Sequence, residues 1–257
     1  MPTIDLNADV GEECGDDEAL FSVVTTASIA AGGHAGGGQV LTETVRLAAA
    51  AGVTVGAHPS YPDRADFGRV SRAGDHGPSG IAAFVREQVL DVARVCTDHG
   101  TALSHVKAHG ALYADTANDA DLAAALLKGV AAAASDLGAG DLAVMGMPGT
   151  ALSRLCADRG VPFLAEAFAD RAYAPDGSLV PRRVDGSVIH DADLAASQAV
   201  RLATEGIVIA IDGTRVSVPA VTVCLHGDTP GAVALARRVR ADLEAAGLRI
   251  APARPAT

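Results

Sequence analysis

Short apolar runs alternate with alanine-rich amphipathic runs along most of the chain. The short runs have the length and alternation of β-strands, and the longer runs have the apolar spacing of helices. We predict strands at 3–8, 27–32, 53–57, 102–107, 141–146, 161–166 and 220–225. The clearest helical patterns lie at 39–51, 79–99, 119–135, 189–204 and 231–246. This order predicts an α/β fold in which helices cover a parallel sheet.

The number of strands suits a single (β/α)7-type barrel domain that spans residues 1–257. No glycine-rich dinucleotide fingerprint follows the first strand, which favours the barrel over its alternative, an open doubly wound sheet. Two segments interrupt the alternation. Residues 171–189 are rich in Pro, Gly and Arg and predict a long loop, and residues 207–218 predict a hairpin around Asp212 and Gly213.

Polar residues occupy every second position near the ends of several predicted strands. In HVKAHGALY, residues 105–113, His105, Lys107 and His109 share one face of an apolar run. Lys107 is one of only two lysines in the chain. Because parallel strands end at the same rim, we expect such residues to converge there. The residues concerned are Asp9, His34, His58, Lys107, His109, Glu166, His226 and Asp228.

This set suits acid–base and electrostatic chemistry. Histidines titrate near neutral pH, and a buried lysine can pair with Asp9 or Glu166 or contact an anion. Asp9, His58 and His109 are also a ligand set for a divalent metal that activates water, although no HExxH spacing supports it. A single strand-end histidine is more often structural, but four together with carboxylates and a lysine favour a functional site.

Three shorter motifs are less specific. AAGGHAGGG, residues 30–38, precedes a helix and fits an anion site or a flexible turn equally well, and no Walker-type motif occurs. HGDTPGA, residues 226–232, places Asp228 where it can cap a helix. FADRAY places Asp170 and Arg171 at the rim, where Arg171 fits a surface ion pair or a clamp for a carboxylate or phosphate.

Composition narrows the classes of function. The net charge of −11 argues against nucleic acid as a partner, because a nucleic-acid binder needs a basic face. No apolar segment approaches the roughly 20 residues of a membrane span. The first ten residues, MPTIDLNADV, lack a signal-peptide pattern, and the four scattered cysteines fit buried thiols. We therefore expect a cytoplasmic location and no membrane contact.

Eight ordered motifs, spread over roughly residues 3–247, resemble those of the LamB/YcsF family. They are DLNADVGE (5–12), GGHAGG (32–37), GAHPSYPD (56–63), FGR (67–69), VKAHGALY (106–113), EAFADRAY (166–173), LVPR (179–182) and HGDTPGA (226–232). This family supplies the A subunit of the bacterial ATP-dependent 5-oxoprolinase. An ordered series of this kind is far more specific than any single motif in it.

The resemblance implies a (β/α)7-type barrel similar to the glycoside hydrolase/deacetylase superfamily. It implies ATP-dependent ring opening of 5-oxo-L-proline to L-glutamate, with ATP and Mg²⁺ as cofactors and two further 5-oxoprolinase subunits as partners. We expect a catalytic set of Asp9, His58, Lys107, His109, Glu166 and His226. We expect a substrate- or phosphate-binding set of Glu12, His34, Asp170, Arg171, Arg182 and Asp228.

Within this scheme, Asp9 or Glu166 would activate water together with His58, and Lys107 with Arg171 would contact the anion. The chain departs from the family near His34, where a usual Asp is replaced by Gly37. Further departures at Ala31, Gly33 and Gly38 replace a Cys, an aromatic residue and a Pro. Two alternatives stay open: a metal-dependent deacetylase or amidohydrolase that needs no ATP, and a non-catalytic subunit that binds substrate.

Overall fold

Seven parallel strands close into a barrel in the computed structural model, which describes residues 1–227 and 231–254. The described residues contain ten strands in all: β1 (Thr3–Val10), β2 (Thr26–Ala30), β3 (Thr54–His58), β4 (Leu103–Lys107), β5 (Ala143–Gly146), β6 (Phe163–Phe168), β7 (Ile207–Ile209), β8 (Arg215–Ser217), β9 (Thr222–His226) and β10 (Arg249–Ile250). The barrel order is β1, β2, β3, β4, β5, β6, β9, and β9 pairs with β1 to close it. The predicted single-domain barrel is confirmed, and the open sheet is not.

The alternation along β1 explains why the sheet can close. Leu6, Ala8 and Val10 are buried in the apolar layer between the strands and the helices. The intervening Asp5, Asn7 and Asp9 are similarly enclosed but contact residues of other strands inside the barrel. Both faces of a parallel sheet are therefore covered, as this arrangement requires.

Helices surround the barrel and connect its strands. They are α1 (Asp17–Phe21), α2 (Gly38–Ala50), α3 (Ala73–Asp98), α4 (Gly110–Asn118), α5 (Ala120–Asp136), α6 (Ala151–Arg159), α7 (Ala192–Glu205) and α8 (Ala232–Ala245). Helix α3 packs on α5, and α7 packs on α8. The side chains of Asp119, Thr150 and Asp191 accept hydrogen bonds from the first turns of α5, α6 and α7, which sets where these helices begin.

Neither of the two segments that interrupt the alternation contributes a strand to the barrel. Strands β7 and β8 form an antiparallel pair within 207–218. Residues 171–189 contain no helix or regular strand, only isolated bridges from Arg171 to Val188 and from Tyr173 to Leu179. Within the described ranges, no helix has the length and apolar character needed to cross a lipid bilayer.

Candidate active site

The carboxyl ends of the barrel strands bring most of the predicted residues together. Asp9 lies near the end of β1, His58 ends β3 and Lys107 ends β4, whereas Glu166 lies within β6 and His226 ends β9. Their side chains contact one another across the interior, not along one strand. Asp228 lies outside the described residues.

Lys107 is locked between two carboxylates. Its Nζ lies 2.8 Å from Asp9 Oδ1 and 2.7 Å from Glu166 Oε1, and it donates to Cys224 Sγ at 3.2 Å. Burial would lower the pKa of Lys107, but the neighbouring Asp9, Cys224 and Glu166 raise it well above its usual value. The lysine is therefore a buried ammonium ion whose charge is already opposed, so it is poorly suited to contact a phosphate.

Glu166 is fully enclosed at the base of this group. Its Oε2 accepts a hydrogen bond from the Tyr113 hydroxyl at 3.1 Å, and its Oε1 faces Lys107. The side chain has no exposed area, whereas Asp9 retains a little. Of the two carboxylates predicted to activate water, Asp9 is the better placed to reach a substrate.

A second cluster, formed by Glu12, His34, His58 and His109, lies directly above Asp9. Glu12 Oε1 lies 3.0 Å from His34 Nε2, 3.2 Å from His109 Nδ1 and 3.8 Å from His58 Nε2. The rings of His34 and His109 stack with their centroids 3.6 Å apart. Glu12 and His34 are predicted to bind substrate or phosphate. In the structure, Glu12 is the carboxylate at the centre of a histidine cluster, and His34 is one of the three histidines around it.

Backbone carbonyls fix the orientation of two of these histidines. His58 Nδ1 donates to Lys107 O at 2.8 Å, and His109 Nε2 donates to Phe67 O at 3.0 Å. The other two nitrogens, His58 Nε2 and His109 Nδ1, face each other at 3.1 Å. Glu12, His58 and His109 offer ligand atoms within 4.8 Å of one another and could hold a metal ion.

Asp9 is the predicted third metal ligand, but the group of ligand atoms that lie within 4.8 Å of one another contains Glu12 in its place. Asp9 Oδ1 is occupied by Lys107, and Asp9 Oδ2 lies 3.4 Å from His58 Nε2. Asp9 therefore borders the cluster without being central to it. Strand alternation selects Asp9, which lies in β1, and it assigns no direction to Glu12, which follows the strand.

Throughout the site, burial and neighbouring charged groups shift the pKa values of the ionisable side chains in opposite directions. Burial would raise the pKa of Asp9, but His58 and Lys107 outweigh it and hold that pKa well below its usual range. Burial would also raise the pKa of Glu12, but the neighbouring His109 and His34 lower it. The pKa of His34 falls to about 4, mainly through burial. Both carboxylates are therefore ionised at neutral pH, and His34 is neutral.

His226 and Asp170 form a separate pair on the same rim. The Nδ1 of His226 donates to Asp170 at 2.9 Å, and the backbone N–H of His226 donates to the same oxygen at 3.0 Å. The imidazole stacks on the Phe168 ring with centroids 5.5 Å apart. Burial would raise the pKa of Asp170, but the His226 charge and hydrogen bonds lower it. An oriented imidazole with its other nitrogen directed away from the carboxylate can serve as a general acid.

The predicted arginines belong to the long loop. Arg171 is buried and donates to the carbonyl oxygens of Ser187 and Val180 at 3.1 and 2.7 Å. Burial and the nearby charge of Arg182 lower its pKa. Arg182 itself is exposed. Much of the donor capacity of Arg171 therefore holds the loop together, although two guanidinium groups lie close enough to interact.

Sequence reasoning missed two residues that shape the site. Phe67 supplies the carbonyl for His109 and has a φ of 53°, a left-handed conformation that is uncommon for an aromatic residue. Tyr113 supplies the hydroxyl for Glu166. Both lie in the motifs FGR and VKAHGALY, which are the signals that could have identified them. A surface cleft of about 400 Å³, lined by Ser197, Arg201 and Asp242 among others, contains none of the predicted site residues.

Residues 4–257 match the sequence pattern of the LamB/YcsF family. The chain belongs to this family. A LamB/YcsF relative from Cutibacterium acnes, named as the A subunit of 5-oxoprolinase, is 45% identical over 255 residues, which cover 97% of this chain and 98% of the relative.

Solved structures extend the comparison. The lactam utilization protein from Thermus thermophilus has a TM-score of 0.88 at 38% identity, with 97% of this chain and 99% of that chain covered. A GH18 chitinase from Pseudoalteromonas aurantia has a TM-score of 0.52 at 8% identity, covering 93% and 100% of the two chains. The second likeness shows a shared fold only.

Proposed function

We propose that this chain is one component of a 5-oxoprolinase and that it hydrolyses the lactam bond of 5-oxo-L-proline to give L-glutamate. The assembly would consume ATP and contain two further subunits. The proposal is supported by relatives whose names are the 5-oxoprolinase A subunit and the lactam utilization protein. The main structural support for the proposal is that one rim of the barrel contains two separate carboxylate–imidazole pairs. They are the Asp9–His58 pair and the Asp170–His226 pair.

Lactam hydrolysis needs a base for water and an acid for the ring nitrogen. Asp9 Oδ2, the oxygen that Lys107 does not hold, accepts a proton from water, and His58 orients that carboxylate from 3.4 Å. The water oxygen attacks the carbonyl carbon, the carbon–nitrogen bond breaks, and His226 donates a proton to the departing nitrogen. Asp170 keeps the His226 ring in the required orientation.

Lys107 acts through Asp9 in this scheme. It keeps Asp9 ionised and fixes one of its oxygens, so it is a positioning residue. Arg182, which is exposed in the long loop and close enough to Arg171 to lower its pKa, supplies the positive charge for the substrate carboxylate.

ATP fits the described site poorly. The chain has no Walker-type motif, and Lys107 is engaged by Asp9 and Glu166. The Arg171 guanidinium donates to two backbone carbonyls. We therefore assign nucleotide and Mg²⁺ binding to the partner subunits and the hydrolytic step to this chain. We also expect a cytoplasmic location, in keeping with the buried thiols of Cys96, Cys156 and Cys224.

The decisive experiment measures glutamate formation from 5-oxoproline, with and without ATP and with and without the partner subunits. We expect turnover only in the complete, ATP-supplied mixture. Asp9→Asn and His226→Gln should each reduce kcat by about 10²- to 10⁴-fold, the usual contribution of a general acid or base.

Two results would favour the alternatives. Amide cleavage by the purified chain without ATP would support a metal-dependent amidohydrolase, which the Glu12, His58 and His109 group makes a real candidate. Normal kcat with weakened substrate binding in both variants would support a non-catalytic subunit that binds substrate.

A further inference from the structure

We propose that Glu12, His58 and His109 bind one divalent transition-metal ion of the Zn²⁺ class. This inference concerns ion binding alone and can be tested without any substrate. It rests on the hydrogen-bond directions, the charges and the spacing of the three side chains.

The hydrogen bonds leave the centre of the cluster without a donor. Carbonyl oxygens only accept, so Lys107 O and Phe67 O require His58 Nδ1 and His109 Nε2 to carry protons. In neutral rings, His58 Nε2 and His109 Nδ1 are then bare lone pairs, and they face each other at 3.1 Å. Glu12 Oε1, another acceptor, lies 3.2 Å from the second of them. A cation at the centre would satisfy all three atoms.

The charges of the buried side chains also favour a bound cation. The carboxylates of Asp9, Glu12 and Glu166 are all buried, and among the side chains that contact them Lys107 is the one permanent cation in the described residues. Three buried carboxylates therefore face one permanent cation, a shortage of positive charge that a proton on His58 would reduce but not remove. Uncompensated buried charge is costly, and a divalent ion would remove this shortage.

The spacing suits one ion. Ligands that share a tetrahedral Zn²⁺ at about 2.0–2.1 Å lie about 3.3 Å from each other. The three separations here are 3.1, 3.2 and 3.8 Å. Asp9 Oδ2, at 3.4 Å from His58 Nε2, borders the side that a fourth ligand or water would occupy.

The surrounding shell holds each ligand in place. Both histidines donate their outer N–H to a backbone carbonyl, the arrangement that orients metal-binding imidazoles. His34 Nε2 donates to Glu12. Phe67, whose carbonyl oxygen accepts from His109, has a positive φ of 53°. Strain of this kind persists where the surrounding structure enforces a functional geometry.

Two imidazoles and one carboxylate select the class of ion. This donor set suits Zn²⁺ and its transition-metal neighbours better than Mg²⁺ or Ca²⁺, which prefer oxygen ligands. A bound ion of this class would supply Lewis-acid assistance to water at the rim.

The test is a calorimetric titration of the chelator-treated full chain with Zn²⁺, repeated with Co²⁺, whose visible absorption reports nitrogen ligands. We expect one ion per chain. Glu12→Gln and His109→Gln should weaken binding of the ion by at least about 100-fold, because each removes a ligand atom. Loss of a residue that only hydrogen-bonds to a ligand costs about 10- to 100-fold. Glu13→Gln, the adjacent exposed carboxylate, should bind like the unmodified chain.

Thermal unfolding provides a readout if a variant is poorly folded. Saturating Zn²⁺ should raise the Tm of the unmodified chain and of Glu13→Gln, but not that of Glu12→Gln. The proposal is overturned if the unmodified chain takes up no Zn²⁺ or Co²⁺, as expected if a proton on His58 bridges the cluster instead. It is equally overturned if Glu12→Gln binds as tightly as Glu13→Gln. Neither result would bear on whether the complex hydrolyses 5-oxoproline.

Discussion

The barrel interior has a floor, around Asp5 and His105, and a rim, around Glu12, His58 and His109. The two regions are built from the same strands, but their polar groups differ in the hydrogen-bond partners available to them. On the floor, the Asp5 carboxylate accepts hydrogen bonds from Thr25, Thr26 and Thr222. His105 lies between two hydroxyl groups, Ser28 Oγ at 3.2 Å and Ser104 Oγ at 2.7 Å.

The rim cluster lacks such hydroxyl partners. When both rings are neutral, Glu12, His58 and His109 meet through atoms that all accept, and Lys107 balances the negative charge there only in part. Hydroxyl groups can donate or accept, so the floor satisfies its polar atoms internally. A polar residue inside a barrel is therefore weak evidence of function, and a deficit of donors is much stronger evidence.

The largest expected effect comes from Lys107→Met, which removes the cation between Asp9 and Glu166. Two carboxylates would remain buried and unopposed, so we expect the free energy of unfolding to fall by about 3–5 kcal/mol and 5-oxoproline turnover to disappear. Urea denaturation and the reconstituted assay measure both. The only other lysine, Lys128, is exposed, and Lys128→Met is the matched control. Full stability in Lys107→Met would remove the buried ion pairs from this account.

A smaller effect is expected from Gly56→Ala on the floor. A Cβ at residue 56 would lie 2.2 Å from the His105 ring, and forcing extra volume into a packed site costs about 1–3 kcal/mol. Gly146→Ala, whose Cβ would meet its neighbours at an ordinary 3.4 Å, should be nearly neutral. Equal unfolding free energies for the two variants would contradict the tight packing of the floor.

The third effect is a change in the pH dependence of stability. Burial lowers the pKa of His105 to about 3, so between pH 6.5 and 3 the unfolded chain binds a proton that the folded chain does not. Stability should therefore fall as the pH drops through this window, by up to about 1.4 kcal/mol per pH unit for this group.

His105→Gln should flatten that dependence, measured as urea midpoints from pH 7 to pH 4. His190→Gln, which changes an exposed histidine, should leave it unchanged. An identical slope in both variants would mean that His105 does not stay neutral on the floor.

Much of the rim could be predicted by strand alternation. Asp9, Lys107 and Glu166 lie inside regular strands, where every second side chain faces the interior. The sequence predicts that the buried lysine pairs with Asp9 or with Glu166, and in the structure it pairs with both.

Alternation could not account for the residues beyond the strand ends. Strand β2 stops at Ala30, and His34 reaches the cluster through a turn that needs positive φ at Gly32 and Gly36. Glu12 follows a similar turn at Gly11, with a φ of 72°. Only the family resemblance pointed to Glu12, because a loop side chain has no period from which to infer its direction.

The short helices α1, α4 and α6 were also missed. They contain 5, 9 and 9 residues, too few to establish a clear apolar period.

His105 and His109 lie only four residues apart in the sequence, but His105 belongs to the floor and His109 belongs to the rim. Variants of these two histidines therefore offer the most direct test. The measurement is the rate of glutamate formation per folded chain in the reconstituted complex. We predict that His109→Gln, which removes the ring 3.1 Å from the His58 nitrogen that faces Asp9, lowers this rate by at least about 100-fold through misplacement of that pair, while His105→Gln keeps it within a few-fold. Full turnover in His109→Gln, or an equal loss in both variants, would contradict the claim that the donor-poor rim is where the chemistry occurs.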